Sequence, residues 1–150
     1  MNYKDLLDST ETPYKIENRY YYKNSSLNRR YYSNFLSYHM MPNQEVFLAD
    51  LKMITEEQRD YPEPFVFIKF PEKEEIPEEV LDLLKQRQFQ LEKHIIFTNK
   101  RQNLHFSESK DSQVTVKPLE IEDKDSFINY KYQSDIAFGK GFADMMKKWR

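Results

Sequence analysis

The chain has 150 residues, among them 11 Tyr, 11 Phe and one Trp, set against 2 Gly and no Cys. That aromatic content is foreign to disordered chains, so few glycines exclude collagen-like and Gly-rich phosphate-loop architectures, and the missing cysteines exclude disulfide scaffolds, thiolate nucleophiles and Cys-ligated metal centres. A net charge of -2 offers no global attraction for nucleic acid or an anionic membrane, and a mean hydropathy of -0.90 without any long apolar run argues against a spanning helix.

The first residues, Met1-Asn2-Tyr3-Lys4-Asp5, mix charges where a secretory signal needs an apolar stretch, so a cytoplasmic location is expected. Tyr3 to Asp8 suits a short helix, and Pro13 ends it. Ile16 to Tyr22 has strand-like content, broken by Asn24-Ser25-Ser26. Arg30 to Tyr38 is ambiguous between helix and strand. Pro42-Asn43 marks a turn before a short apolar run at Val46-Phe47-Leu48.

Asp50 is a plausible N-cap for a helix carrying Leu51 and Ile54, which Tyr61-Pro62 would stop. Phe65 to Phe70 is the clearest strand, and its near-continuous apolar character suits an interior strand covered on both faces. Pro77, Glu78 and Glu79 then open a helix whose stripe is Val80, Leu81, Leu83 and Leu84. A second apolar strand follows around His94 to Thr98. Strand, helix and strand together form a βαβ-like unit, which favours an α+β (α/β-like) fold.

Lys100 to Ser112 is polar throughout, which places a domain boundary near Lys110 and divides the chain into residues 1–110 and 111–150. Val114 to Lys117 alternates as a strand, and Pro118 ends it. A helix then carries Phe127, Ile128 and Lys131, and a second runs from about Asp135. Phe138, Phe142, Met145, Met146 and Trp149 make one apolar stripe on it. About 40 residues with one strand and two helices cannot build a core alone. The stripe therefore packs back on the first domain or meets a surface in sequence beyond Arg150, and the absence of a helix stop after Trp149 favours the second. An open stripe of this kind also offers a surface for self-association.

Charge is unevenly spread. From Arg19 to Tyr38 there are four cations (Arg19, Lys23, Arg29, Arg30) and no acid, whereas acids dominate from Asp50 to Lys93. Tyr20-Tyr21-Tyr22-Lys23 and Arg29-Arg30-Tyr31-Tyr32 interleave cations with rings as single-strand stacking platforms do, but the acidic total disfavours nucleic acid, and Tyr packing under Arg and Lys stems is the expected role. His39, His94 and His105 lack metal-ligand spacing, so no metal is expected. The carboxylates of Glu72 to Glu79 match a solvated helix start rather than an acid–base pair. Gly139-Lys140-Gly141 lacks the frame of a nucleotide loop. Two glycines in a helical stretch indicate a kink, an interhelical loop or a close approach to the backbone.

Val114-Thr115-Val116-Lys117-Pro118-Leu119, followed by Glu120-Ile121-Glu122-Asp123 and a helix, resembles the opening of a GNAT-superfamily N-acetyltransferase domain. Phe65 to Pro71, the helix from Glu78 to Gln88, and Gln90 to Phe97 are similar to the closing strand–helix–strand of that fold. The resemblance is to bacterial two-part proteins with a degenerate GNAT-like N-terminal half and a catalytic second half. It implies a GNAT-like mixed sheet flanked by helices, an incomplete second domain, and acetyl transfer from acetyl-CoA to a small-molecule or peptide amine in the parent protein.

The family's cofactor signature, (Q/R)-x-x-G-x-(G/A) between the fourth strand and its helix, is absent. Arg101-Gln102 is followed by Asn103-Leu104-His105, without glycine. This chain is therefore expected to bind acetyl-CoA weakly at most, and no catalytic residue carries over. Tyr132, Asp135 and Phe138 match the two-helix stretch that walls the acceptor side in that family. A non-catalytic interaction or dimerisation module is the alternative.

Overall fold

A computed structural model describes residues 14–94 and 118–150. The sequence expectations for Tyr3–Asp8, His94–Thr98 beyond His94, Lys100–Ser112 and Val114–Lys117, with the boundary near Lys110, lie outside those residues.

The described fold is α+β, with a mixed four-stranded sheet in the order β1-β2-β3-β4. The stretch Ile16–Tyr22 is not one strand. Chain reversal at Glu17 and Asn18 splits it into β1 (Tyr14–Ile16) and β2 (Arg19–Tyr22), with Ile16 opposite Arg19. The tight turn needs a residue of positive φ, and Glu17 takes that conformation at 46°. Arg30–Tyr38 resolves into a 3₁₀ turn at Tyr31–Ser33 and strand β3 (Phe35–Tyr38), which pairs antiparallel with β2.

Helix α1 (Gln44–Glu57) begins six residues before Asp50. Its N-cap is Asn43, whose side chain accepts from the Val46 N–H at 2.9 Å, so Val46–Leu48 forms the first turns of the helix rather than a separate run. Asp50 sits instead on the buried stripe with Phe47, Leu51 and Ile54. The chain then returns through β4 (Ile68–Lys69), parallel to β3, so the observed parallel crossover is β3–α1–β4. Of the apolar run Phe65–Phe70, two residues join the ladder, with the Phe67 carbonyl also accepting from Leu36 N–H at 3.0 Å. β4 is the last strand in the described order, not an interior one.

Helix α2 (Glu78–Gln86) follows Pro77 as expected and buries Val80, Leu83 and Leu84. These side chains, the α1 stripe and the sheet residues Tyr21, Leu36 and Tyr38 form one core. Val66, Ile68 and Phe70 pack against it from the β4 segment, Phe70 stacking on both Tyr38 and Phe47. At the C-terminal end, α3 (Lys124–Asp135), a 3₁₀ turn (Ile136–Phe138) and α4 (Lys140–Trp149) make a helical hairpin. The glycines serve two of the purposes expected of them. Gly139, at φ 101°, turns the chain between the helices, and Gly141 admits the Arg29 side chain against the α4 backbone.

The core contains a charge. Arg19 and Tyr38 face one another across β2 and β3, and Asp50 reaches both from α1. The Tyr38 hydroxyl donates to Asp50 Oδ2 at 2.7 Å, and Arg19 Nε lies 2.7 Å from the same oxygen as an ion-pair contact rather than an aligned hydrogen bond. Burial, together with the bond to the Asp50 carboxylate, drives the Tyr38 pKa far upward, so the phenol keeps its proton. Asp50→Ala leaves a guanidinium of which little is exposed with only the solvent-exposed Glu17, 3.8 Å away, and should cost about 3 kcal/mol in urea unfolding, because it removes the buried partner of the pair. Tyr38→Phe, which keeps the ring and the ion pair, should cost about 1 kcal/mol. Equal losses would show that Arg19 is solvated without Asp50.

Candidate functional site

Three places hold groups that chemistry could use, and the first is the start of α1. Backbone N–H groups at a helix N-terminus attract anions. Here the chain supplies its own. The Met41 N–H donates to Glu74 at 3.4 Å and the Gln44 N–H to Glu79 at 3.2 Å. The acids from Glu72 to Glu79, expected to serve their own helix, thus also fold back on α1. All four residues of these two bonds are solvent-accessible, and the segment from β3 to α1, His39-Met40-Met41-Pro42-Asn43, has no glycine.

The second is the sheet face turned away from the helices. Tyr22 stacks on Phe35 with ring centroids 4.4 Å apart, and Phe67 meets both Phe35 and Tyr32 edge-on. Tyr31 packs edge-on against Phe65. The aromatic runs singled out in the sequence therefore supply one wall of a cluster whose other wall is Phe65 and Phe67. Lys69 lies within it, its Nζ 4.1 Å from the Phe35 centroid and 5.1 Å from that of Tyr32.

Beside this cluster lies a cleft of about 540 Å³ whose walls include Tyr31, Gln58, Phe65, Phe67, Arg87 and Phe89. Thr55 also lines it, but the Thr55 hydroxyl donates to the Leu51 carbonyl at 2.8 Å. Gln58 is fully buried and accepts from the Phe65 N–H at 2.9 Å, so its role is to hold the cleft wall. Aromatic walls with a guanidinium can bind, and among the described residues the cleft brings no nucleophile beside a base.

The third is the C-terminal hairpin, where the sequence pointed to Tyr132, Asp135 and Phe138. Tyr132 and Asp135 lie on α3 and Phe138 in the turn that follows it. The Tyr132 hydroxyl donates to Asp144 at 2.9 Å, which raises its pKa, and Lys147 lies over its ring. Asp135 is buried and paired with Arg150 at 2.6 Å. Phe138 is 75% exposed and tilts against Phe142. Of the other candidates, His39 packs against Tyr20, His94 lies 3.5 Å from Glu92, and His105 lies outside the described residues. Among the described residues no three metal-ligating side chains gather, and no helix is long and apolar enough to cross a membrane.

Three of the four cations of the acid-free segment, Arg19, Lys23 and Arg29, are paired with acids. Lys23 pairs with Glu57 at 2.6 Å and Arg29 with Glu63 at 2.5 Å, as Arg19 does with Asp50. These pairs join the cationic block to the acidic one. Sequence reading could not assign these pairs, because each spans about 30 residues.

Burial pushes the Lys69 pKa down to about 8, and the surrounding rings offset part of that desolvation. Below pH 8 the cost of holding the ammonium is present in full. As pH rises from about 8 toward ~10.4, the folded state loses its proton before the unfolded chain does, so stability rises across that window. Lys69→Met should be more stable than the native chain at pH 7, and the difference between them should shrink from pH 8 to 10 in paired denaturation curves. A constant difference would place the Lys69 proton outside this linkage.

Comparisons bear on the fold and the family. No curated protein matches the chain. Its fold is similar, at a TM-score of 0.67 and 17% identity, to the crystal structure of a functionally unknown conserved protein from Staphylococcus epidermidis ATCC 12228. That match takes in 99% of this chain but 58% of the other, so the chain spans little more than half of its structural relative. Residues 1–97, well over half of the sequence, match the model of a domain of unknown function, DUF5613, and the chain belongs to that family.

Proposed function

We infer that this chain is the non-catalytic, N-terminal part of a GNAT-type acetyltransferase. In this reading the parent protein, in the cytoplasm, transfers an acetyl group from acetyl-CoA to an amine. The observation that carries the reading is the start of α1. Three antiparallel strands followed by a parallel crossover through a helix are similar to the centre of the GNAT fold. By that resemblance β3 corresponds to the fourth strand, and the loop from β3 to α1 is where the cofactor's phosphates would lie. A glycine-bearing loop there would offer its N–H groups to phosphate. Here Pro42 has no N–H to offer, and the N–H groups of Met41 and Gln44 are turned to Glu74 and Glu79. Two carboxylates at that position repel a phosphate as well as occupying its donors.

Acetyl transfer needs an oriented amine, a route for its proton and donors for the tetrahedral oxyanion. Those groups would come from the second half of the parent protein. Of the three residues suggested for the acceptor side, Asp135 and Tyr132 are engaged within the hairpin, which leaves Phe138 best exposed to meet a substrate. The second reading, an interaction module, is favoured by apolar side chains left in solvent in and just before the hairpin, with Ile121 88%, Phe138 75% and Tyr130 72% exposed.

Isothermal titration separates these readings. The full-length natural protein should bind acetyl-CoA, and the 150-residue chain should give no binding heat. Glu74→Ala with Glu79→Ala should not restore tight binding, because the loop still has no glycine. Tight binding to the 150-residue chain would overturn the assignment of a non-catalytic half, and absence of binding to the full-length protein would favour the interaction module.

A further inference from the structure

The cleft beside the aromatic cluster is walled by two segments that meet at the far end of α1. One wall is the extended chain entering β4, pinned where the Phe65 N–H donates to the Gln58 side chain at 2.9 Å. The other is the chain leaving α2. That helix closes with the N–H groups of Gln88 and Phe89 on the carbonyls of Lys85 and Leu84, at 3.0 and 2.9 Å, a closure that usually has glycine where Gln88 stands. Gln88 takes the left-handed conformation at φ 59°, and the turn sets both Arg87 and Phe89 on the cleft.

At about 540 Å³ the cleft has the size of small-molecule sites, commonly ~300–1,000 Å³. Its rings are Tyr31, Phe65, Phe67 and Phe89. Tyr31 meets Phe65 edge-on at 4.6 Å between centroids and lies tilted to Phe67 at 6.2 Å, so these rings form a corner rather than a closed stack. A flat ring laid in such a corner finds one ring face and one ring edge. The charge is as selective as the shape. Acids dominate from Asp50 to Lys93, yet none lines the cleft. The acids five residues to either side of Arg87 face other groups, Asp82 lying 3.2 Å from Lys85 and Glu92 3.5 Å from His94. The Arg87 guanidinium is the one cation on the described wall, and it meets no carboxylate there.

We propose that this cleft is a binding site for a small aromatic carboxylate, its ring held among Tyr31, Phe65, Phe67 and Phe89 and its carboxylate by Arg87. A guanidinium presents paired N–H donors that match the two oxygens of a carboxylate, and a cationic ring compound would instead meet its charge. The site lies at the opposite end of α1 from the loop whose Met41 and Gln44 N–H groups are taken by acids, about 20 Å away along a helix of 14 residues. It is therefore separate from the position considered for the acetyl-CoA phosphates and does not rest on the acetyltransferase reading.

Amide-resolved NMR titration of the 150-residue chain with naphthoate, its neutral amide and the naphthylmethylammonium cation tests the site. Naphthoate should give saturable shifts centred on residues 64–67 and 87–90. The neutral amide should bind about tenfold more weakly, as loss of a charge-assisted hydrogen bond at a solvent-facing guanidinium predicts, and the cation more weakly still. Arg87 is exposed, so Arg87→Gln keeps the fold. It should weaken naphthoate about tenfold and leave the amide unchanged, whereas Tyr31→Ala should weaken both by removing a ring wall. Two results overturn the proposal. One is naphthoate shifts that are absent, or that spread over the exposed aromatic residues of the C-terminal hairpin. The other is an Arg87→Gln effect that is absent, or equal for the acid and its amide.

Discussion

A carboxylate taken out of water must find partners that replace its hydration, and Asp50 does so with two residues that already face each other in a β-ladder. That requirement sets how α1 lies on the sheet. Apolar contacts at Phe47, Leu51 and Ile54 are non-directional and would tolerate a shift of the helix. An ion pair and a 2.7 Å hydrogen bond to one oxygen would not. With α1 fixed, the chain leaves it at Gln58, whose side chain receives the Phe65 N–H and starts the return to β4. The parallel crossover, the aromatic cluster and the cleft beside it all follow from that placement.

The same logic extends outward as pairs with less burial. Lys23 to Glu57 and Arg29 to Glu63 run from the same cationic stretch to the same acidic one. Exposed pairs add little to stability one at a time. Their number and consistent direction matter more for specificity, because a misplaced α1 would set cations against rings and acids against each other. An uneven charge distribution that resembles two solvated faces becomes, in the fold, one half of the protein addressing the other.

What was legible in the sequence follows this division between local and distant causes. The helix after Pro77 could be seen because its signals are adjacent: proline, acids and a 3–4 apolar spacing. The purposes of Gly139 and Gly141 were legible as a class, since glycine inside a helical pattern has few uses, though not the identity of Arg29 as the approaching group. Asp50 was misplaced as a cap because an acid before apolar residues has the same local pattern whether it caps a helix or lies buried within one. The partners that decide between those roles, Arg19 and Tyr38, are 31 and 12 residues away. The hairpin at Glu17 was hidden for another reason, as glutamate is not a residue that announces a positive φ. At the hairpin, Tyr132 and Asp135 were picked by their position in a resemblance, which carries no information about the hydrogen-bonding partner each has on or beyond α4.

Scarcity of glycine and abundance of acid meet at the start of α1, and together they explain more than either does alone. A helix N-terminus carries unpaired N–H groups and a positive end. Here Asn43 takes the Val46 N–H, and acids of a neighbouring segment take those of Met41 and Gln44. Glu74 and Glu79 are within reach because α2 packs beside α1 on the same face of the sheet. The start of α1 is thus satisfied from within the chain, by Asn43, Glu74 and Glu79.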